Sequence, residues 1–115
     1  IDRCREICFG KRPTICGTNA RDELLGTRES DVIVGRGGND KIDGRGGKDR
    51  ICGGAGNDRL LGGKGDDRLS GGAGKDRLAG GAGRDTLDGG LGRDTCDDGA
   101  GEDRARRCDK KGRVR

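Results

Sequence analysis

A strict nine-residue repeat constrains this chain more than any other feature. From Gly53 to Leu87 the pattern Gly-Gly-x-Gly-x-Asp-x-Leu occurs four times in succession, nine residues apart. The same register extends in both directions and gives ten consecutive nonapeptides over residues 17–106. Every nonapeptide has Asp at its sixth position, and the eighth position is apolar or nearly so throughout. Such a period predicts stacked repeats in place of a conventional core.

The composition is so poor in hydrophobic residues that any ordered structure must come from the repeat. Only 27% of the 115 residues are hydrophobic, 40% are charged, and 27 residues are Gly. Bulk composition of this kind is typical of disordered chains. His, Trp, Tyr and Met are absent and Phe9 is the single aromatic residue, which removes most catalytic bases and most platforms for base stacking. We therefore expect no enzymatic activity and no nucleic-acid partner.

Each nonapeptide can form a glycine-rich turn of six residues and a strand of three whose central side chain points inward. Two repeats then make one coil of 18 residues. Successive coils stack at the strand spacing of ~4.8 Å. The eighth-position residues form the predicted core, and they are Leu24, Ile33, Ile42, Ile51, Leu60, Leu69, Leu78, Leu87, Cys96 and Ala105.

Stacking places the sixth-position aspartates of alternate repeats in two columns. One column contains Asp22, Asp40, Asp58, Asp76 and Asp94. The other contains Asp31, Asp49, Asp67, Asp85 and Asp103. Carboxylates this close repel one another unless a cation lies between them, and hard oxygen ligands select calcium or a similar ion. Pairing each aspartate with the one 18 residues later predicts at most eight Ca²⁺ sites.

The turn glycines suit the same purpose. Because glycine lacks Cβ, it adopts positive φ and lets backbone carbonyls face an ion. We expect carbonyl ligands near the second and fourth positions, at Gly54, Gly56, Gly63, Gly65, Gly72, Gly74, Gly81, Gly83, Gly90 and Gly92. So few inward aliphatic residues predict that calcium binding and folding are one event, with affinities of about 10⁻⁴ to 10⁻³ M.

Some repeats depart from the pattern. The first two, GTNARDELL and GTRESDVIV, replace the fourth-position glycine by Ala20 and Glu29, so their calcium loops are the least regular. The fifth position carries Asn39, Asn57 and Asp66 in some repeats, and Lys48, Lys75, Arg84 and Arg93 in others. If this side chain faces solvent, the basic residues change nothing. If it touches the ion, four sites are affected.

Six cysteines indicate an oxidising compartment and predict disulfide bonds that fix the two ends of the solenoid. Residues 1–16 are expected to form a cap in which Ile15 points inward and which covers the outward-facing Val32 and Val34. Cys16 and Cys52 would lie two coils apart, ~9.6 Å, which is too far for a disulfide. We expect Cys8 to pair with Cys52 (Cys4 is the alternative), Cys4 with Cys16, and Cys96 with Cys108. Zinc is disfavoured because neither histidine nor a Cys-x-x-Cys pair is present.

Basic residues recur at the seventh position, and they are Lys41, Arg50, Arg59, Arg68, Arg77 and Arg104. They indicate either a face for a polyanion such as a cell-wall polymer, or charge balance against neighbouring aspartates. The tail at 107–115 adds further positive charge. No stretch is apolar enough to predict a transmembrane segment.

Over residues 17–106 the sequence resembles the RTX, or haemolysin-type, calcium-binding family. The resemblance implies an all-β fold, a parallel β-roll (a right-handed β-solenoid), with Ca²⁺ held by the sixth-position aspartates and by glycine-turn carbonyls. It also implies an exported protein, in agreement with the cysteines and with a first residue that is not Met. We expect a secreted calcium-binding structural or interaction module with a cap at 1–16, a roll at 17–106 and a basic tail at 107–115. The alternatives are a filament subunit that associates end to end, an adhesin fragment, or a polyanion-binding protein.

Overall fold

The computed structural model describes residues 7–97, 104–108 and 110–111, and short strands are its only regular elements. In chain order they are β1 (Ile15–Cys16), β2 (Glu23–Leu25), β3 (Val32–Val34), β4 (Lys41–Asp43), β5 (Arg50–Cys52), β6 (Arg59–Leu61), β7 (Arg68–Ser70), β8 (Arg77–Ala79), β9 (Thr86–Asp88), β10 (Thr95–Asp97), β11 (Arg104–Arg106) and β12 (Lys110–Lys111). None of the described residues is helical, and no membrane-spanning helix is found among them.

Successive strands alternate between two six-stranded parallel sheets. The odd sheet has the order β1-β3-β5-β7-β9-β11, and the even sheet has the order β12-β10-β8-β6-β4-β2. From β1 to β11 each residue lies opposite the one 18 positions later, as Ile33 lies opposite Ile51 and Leu60 opposite Leu78. The predicted parallel solenoid with two repeats per coil is therefore confirmed.

The core is a single file of eighth-position side chains between the two sheets. Each of its eight buried members is at most 2% exposed, and they are Ile33, Ile42, Ile51, Leu60, Leu69, Leu78, Leu87 and Cys96. Ile15, Leu24, Ala105 and Cys108 pack against this file and are partly buried. The inward positions predicted from the sequence are confirmed, because a three-residue strand can direct only its central side chain inward.

Glycines at the second and fourth positions shape the turns. From the fifth repeat on, their φ values lie between 82° and 102°, at Gly54, Gly56, Gly63, Gly65, Gly72, Gly74, Gly81, Gly83, Gly90 and Gly92. A Cβ at Gly54 would collide with the carbonyl oxygen of Arg36 in the preceding coil, and one at Gly56 with that of Gly38. Glycine is therefore required by the left-handed backbone and also by the close stacking of the turns.

Two arginines adopt the same backbone conformation at the second position. Arg36 has φ of 73° and Arg45 has φ of 68°. Their coils stack on the first two repeats, where Thr18 and Thr27 hold the second position and neither has positive φ. A left-handed conformation costs an L-residue about 1–2 kcal/mol, so these two turns are strained where the chain changes from one turn type to the other.

The N-terminal segment lies on the outer face of the odd sheet. Cys8 and Lys11 form an antiparallel bridge, and Cys8 packs with Val32 and Val34 in a second apolar cluster. Cys8 is bonded to Cys52, with Cα atoms 5.8 Å apart. Both the predicted pairing and the predicted cover over Val32 and Val34 are confirmed.

The edge of the odd sheet is formed by β1, which pairs with β3. Cys16, in β1, is disulfide-bonded. Its predicted partner Cys4 lies outside the described residues, so that pairing stays a prediction.

Near the C-terminus, Cys96 is bonded to Cys108, as predicted, with Cα atoms 5.8 Å apart. The guanidinium of Arg107 donates to both carboxylate oxygens of the buried Asp88, with 2.7 Å between Nε and Oδ1. This ion pair raises the pKa of Arg107. Strand β12 then pairs with β10 with a 15-residue offset, which ends the 18-residue period.

The strain at Arg45 predicts the effect of two substitutions. Arg45→Gly should give a more stable protein than Arg45→Ala by about 1 kcal/mol, because only glycine removes the left-handed penalty. Both variants remove the same side chain and keep the backbone hydrogen bond from the Lys64 N–H to the Arg45 carbonyl (2.8 Å). Denaturant unfolding in saturating calcium measures the difference, and equal stabilities would contradict the assigned strain.

Candidate metal centre

The sixth-position aspartates lie where each turn meets its strand, and they are buried. Seven of them are at most 2% exposed, and these are Asp40, Asp49, Asp58, Asp67, Asp76, Asp85 and Asp94. Asp31 is 7% exposed and Asp22 is half-buried. Asp103, the last of the predicted ligands, lies outside the described residues. Buried carboxylates are rare unless they are paired or bind a metal.

One oxygen of each of these seven carboxylates accepts a hydrogen bond from the preceding coil. Asp40 Oδ1 accepts the N–H of Asp22 at 2.9 Å, and Asp58 Oδ1 accepts that of Asp40 at 2.8 Å. The same bond recurs in both columns at 2.8–2.9 Å, to Oδ1 of Asp49, Asp67, Asp76, Asp85 and Asp94. The aspartates therefore form the two columns that the sequence predicts.

The other carboxylate oxygen is buried without a hydrogen bond. This is the case for Oδ2 of Asp40, Asp49, Asp58, Asp67 and Asp76. A buried acceptor without a partner typically costs about 1–3 kcal/mol. Five such atoms at equivalent positions indicate that a cationic partner belongs beside them.

The space beside these oxygens exists because the first position of each of these repeats is glycine. A Cβ on Gly53 would lie 2.6 Å from Asp58 Oδ2 and 3.0 Å from the carbonyl oxygen of Gly71. Gly62, in the next repeat, is placed in the same way beside Asp67 Oδ2 and the carbonyl of Gly80. The surroundings of Oδ2 thus include carbonyl oxygens, which are suitable ligands for a hard cation.

These first-position carbonyls are additional to the ligands expected from the sequence. The second- and fourth-position carbonyls expected there also face an adjacent coil, as Gly54 O faces Gly72 and Gly56 O faces Gly74, and their role as ligands stays a prediction. The available signal for the first-position carbonyls was that glycine persists at the first position of repeats one and two, at Gly17 and Gly26, where the glycine of the fourth position is lost.

Burial raises the pKa of the column carboxyls. The pKa is raised to about 6 for Asp40 and Asp49, about 7 for Asp58, and about 8 for Asp67 and Asp76. In each case desolvation is the largest cause, the N–H from the preceding coil lowers the pKa in part, and the charge of the neighbouring aspartate raises it again. A metal-free roll therefore retains protons near neutral pH, and a cation would have to displace them.

The first two repeats satisfy their aspartates internally. Asp31 Oδ2 accepts the N–H of Thr27 at 2.7 Å and its hydroxyl at 3.0 Å, and the same hydroxyl accepts the N–H of Glu29 at 3.0 Å. Asp22 Oδ2 accepts the N–H of Thr18 at 2.6 Å and its hydroxyl at 3.0 Å. The threonines thus donate hydrogen bonds to Oδ2, the carboxylate oxygen that has no hydrogen bond in the later turns.

A metal ion in these columns could not rely on side chains alone. Within residues 7–97, 104–108 and 110–111, no group of three or more Cys, Asp or Glu side chains is placed to hold a metal ion. Each carboxylate is instead surrounded by turn backbone. Any bound cation would therefore be held by carboxylates and carbonyls together.

The fifth-position side chains are exposed and connect the coils. Asn39 Oδ1 accepts the N–H of Asn57, Asn57 Oδ1 accepts that of Lys75, and Asp66 Oδ1 accepts that of Arg84, each at 2.8 Å. The basic residues at this position, Lys48, Lys75, Arg84 and Arg93, are exposed as well. This arrangement favours the interpretation in which the fifth position faces solvent.

The raised pKa values predict how the metal-free protein responds to pH. A carboxyl whose folded pKa exceeds its unfolded value stabilises the fold below about pH 4, and the contribution is lost as the pH rises through the folded pKa. For these aspartates the loss begins at about pH 4 and is complete only above the folded pKa, which lies between about 6 and about 8. Metal-stripped protein should therefore show more β structure by circular dichroism at pH 5 than at pH 8. A β signal that decreases on acidification would contradict these shifts.

The hydrogen bonds of Thr27 predict that a substitution there lowers the stability of the fold but leaves the number of bound calcium ions unchanged. Thr27→Val keeps the shape of the side chain but removes the hydroxyl that bonds Asp31 and Glu29. We expect a loss of about 1–2 kcal/mol in unfolding free energy at saturating calcium. The number of ions bound at saturation, measured by calorimetry, should be unchanged. A lower stoichiometry would place an ion at this turn.

Comparison with known families agrees with this geometry. A family model described as the RTX calcium-binding nonapeptide repeat (4 copies) matches six overlapping windows, at residues 17–51, 25–60, 44–78, 53–87, 61–96 and 70–105. No curated protein and no solved structure gives a significant match. The family windows together cover residues 17–105 of the 115-residue chain. The chain therefore belongs to the RTX calcium-binding nonapeptide-repeat family.

Proposed function

We propose that this protein is a secreted calcium-binding module that folds into its β-roll when Ca²⁺ binds between the turns of repeats three to nine. The folded roll then serves as a rigid structural or interaction element. RTX repeats bind calcium, and the family is typically structural rather than catalytic. The proposal adds which repeats bind the ion and how binding is linked to folding.

The buried Oδ2 atoms without a hydrogen bond carry this proposal. They occur in both columns, at Asp40, Asp58 and Asp76 on one side and at Asp49 and Asp67 on the other. Their raised pKa values show that the fold destabilises the charged carboxylate when no cation is present. A bound calcium ion would supply the positive charge that these oxygens lack, and would do so only in the stacked state.

We assign the ions to pairs of stacked aspartates. Three pairs lie in the column Asp40, Asp58, Asp76 and Asp94, and two lie in the column Asp49, Asp67 and Asp85. Carbonyls of the glycine turns would complete each site. Asp22 and Asp31 are left out of this assignment because threonine donors already bond their carboxylates. Five sites lie within the limit of eight that the spacing allows.

Two observations support secretion, the disulfide bonds of this chain and the usual location of its family. Disulfide bonds, among them Cys8–Cys52 and Cys96–Cys108, suggest an oxidising compartment. The RTX family is typically extracellular. Extracellular calcium modules bind at about 10⁻⁴ to 10⁻³ M, so calcium outside the cell would fold the chain and cytosolic calcium would not. The switch from unfolded to folded chain would therefore accompany export.

Two adjacent aspartates provide a matched test. Asp67 is buried, with Oδ2 lacking a hydrogen bond, whereas the exposed Asp66 uses its Oδ1 to accept a backbone N–H, as Asn39 and Asn57 do. Removing even an outer-shell partner of a metal typically lowers affinity about ten- to a hundredfold. We therefore expect Asp67→Asn to raise the calcium midpoint of folding about tenfold or more. Asp66→Asn should leave the midpoint unchanged.

The measurement is far-ultraviolet circular dichroism of the disulfide-intact chain, titrated from chelator into calcium with magnesium as the control ion. The wild-type chain should pass cooperatively from coil to β structure with calcium alone. A β spectrum that is already complete in chelator, or equal midpoints for the two variants, would overturn the proposal.

A further inference from the structure

A groove runs along one edge of the even sheet, and Asp40, one of the aspartates assigned to calcium, forms part of its lining. Its volume is about 610 Å³, and side chains from three successive coils line it. The fifth-position residues Arg21, Asn39 and Asn57 form one wall, the seventh-position residues Glu23, Lys41 and Arg59 form the other, and the sixth-position Asp22 and Asp40 lie between them. The first coil places Arg21 and Glu23 at these two positions, whereas the next two coils each place an asparagine opposite a cation, Asn39 with Lys41 and Asn57 with Arg59.

The cations of this groove continue into a column. Lys41, Arg59 and Arg77 lie directly opposite one another on β4, β6 and β8. All three are exposed, and none forms an ion pair within the described part of the chain. Like charges that face each other across neighbouring strands are destabilising. A ligand with evenly spaced anionic groups would neutralise this repulsion, because each anionic group would bind one of the cations.

The asparagines of the opposite wall have fixed orientations. Asn39 Oδ1 accepts the N–H of Asn57, and Asn57 Oδ1 accepts the N–H of Lys75, each at 2.8 Å. With both oxygens engaged along the stack, the two amide groups offer N–H donors to the groove. At the coils of Asn39 and Asn57 the groove therefore has a cation on one wall and a neutral donor on the other, and these two coils are one strand spacing (~4.8 Å) apart.

We propose that the calcium-loaded roll binds an extended anionic polysaccharide in this groove. The acidic groups of the polymer would contact Lys41, Arg59 and Arg77, and its hydroxyl groups would accept from the Asn39 and Asn57 amides. One sugar unit of such a polymer is about as long as one strand spacing, so successive units meet successive coils. This partner goes beyond the proposed calcium binding, although it needs the folded stack.

A nucleic acid fits the groove less well. Single strands are usually bound by aromatic side chains on which the bases stack. The single aromatic residue, Phe9, packs in the apolar cluster on the odd sheet, near Arg68. No aromatic side chain lines the groove, whereas donors for hydroxyl groups do.

The test uses chondroitin sulfate as the probe and the full disulfide-intact chain in calcium, after circular dichroism has shown that each variant is β-folded. Calorimetry should detect binding that weakens with salt. The triple variant Lys41→Gln, Arg59→Gln, Arg77→Gln should lose about tenfold or more in affinity. A control with the same loss of charge elsewhere, Lys48→Gln, Arg50→Gln, Lys64→Gln, should lose far less.

A single substitution tests the amide wall separately. Asn57→Asp keeps the acceptor for the Lys75 N–H, as Asp66 does for the Arg84 N–H, but replaces the amide donors by a negative charge. The variant should fold and bind chondroitin sulfate several-fold more weakly.

The inference would be overturned by equal losses in the two triple variants, by a folded wild-type roll that binds no chondroitin sulfate, by unchanged binding in Asn57→Asp, or by tighter binding to single-stranded DNA. A roll that fails to fold in calcium would instead contradict the proposed calcium function.

Discussion

The structure depends on one unfavourable burial that recurs from coil to coil, a carboxylate oxygen with no hydrogen-bond donor. At Asp40, Asp49, Asp58, Asp67 and Asp76 the fold gives Oδ1 a backbone N–H and leaves Oδ2 beside the space made by a first-position glycine. The single-file core is too thin to make such burial favourable by itself. A divalent cation would relieve it only when two coils are stacked, because only stacking brings the column carboxylates together. This is the reason why the proposed function couples metal binding to folding.

The N-terminal coil avoids this dependence. Thr18 and Thr27 donate to the oxygens that are without donors in later turns, and the Cys8–Cys52 disulfide fixes the cluster of Val32 and Val34 on the outer face. We expect this coil to keep order without metal and to provide an edge on which the calcium-dependent coils assemble. The change of turn type is visible in the backbone, since Arg36 and Arg45 adopt the left-handed conformation where the glycine turns begin. At this end of the roll, disulfides and threonine donors thus take the stabilising role that the proposed calcium ions have in the later coils.

The sequence predicts most of the architecture because the repeat fixes it. An 18-residue coil determines the register, and the register determines the core file and the aspartate columns. It also places Cys52 and Cys96, while their partners Cys8 and Cys108 lie outside the repeats. Three features were not predicted: the threonine donors to Asp22 and Asp31, the left-handed arginines, and the first-position carbonyls beside Oδ2. Each depends on local side-chain or backbone geometry. A period gives the place of a residue in the stack, but it does not show which hydrogen bond that residue makes.

Hydrogen exchange of the disulfide-intact protein, compared in chelator and in saturating calcium, tests the central claim most directly. In chelator, amides of residues 15–34 should remain protected while those of residues 53–97 exchange freely, and calcium should protect both regions. This result would show that the later turns need a cation for the oxygens that the first two turns satisfy with threonine. Equal protection of residues 53–97 in both conditions would show that the buried carboxylates are stable without a metal, and would contradict the account.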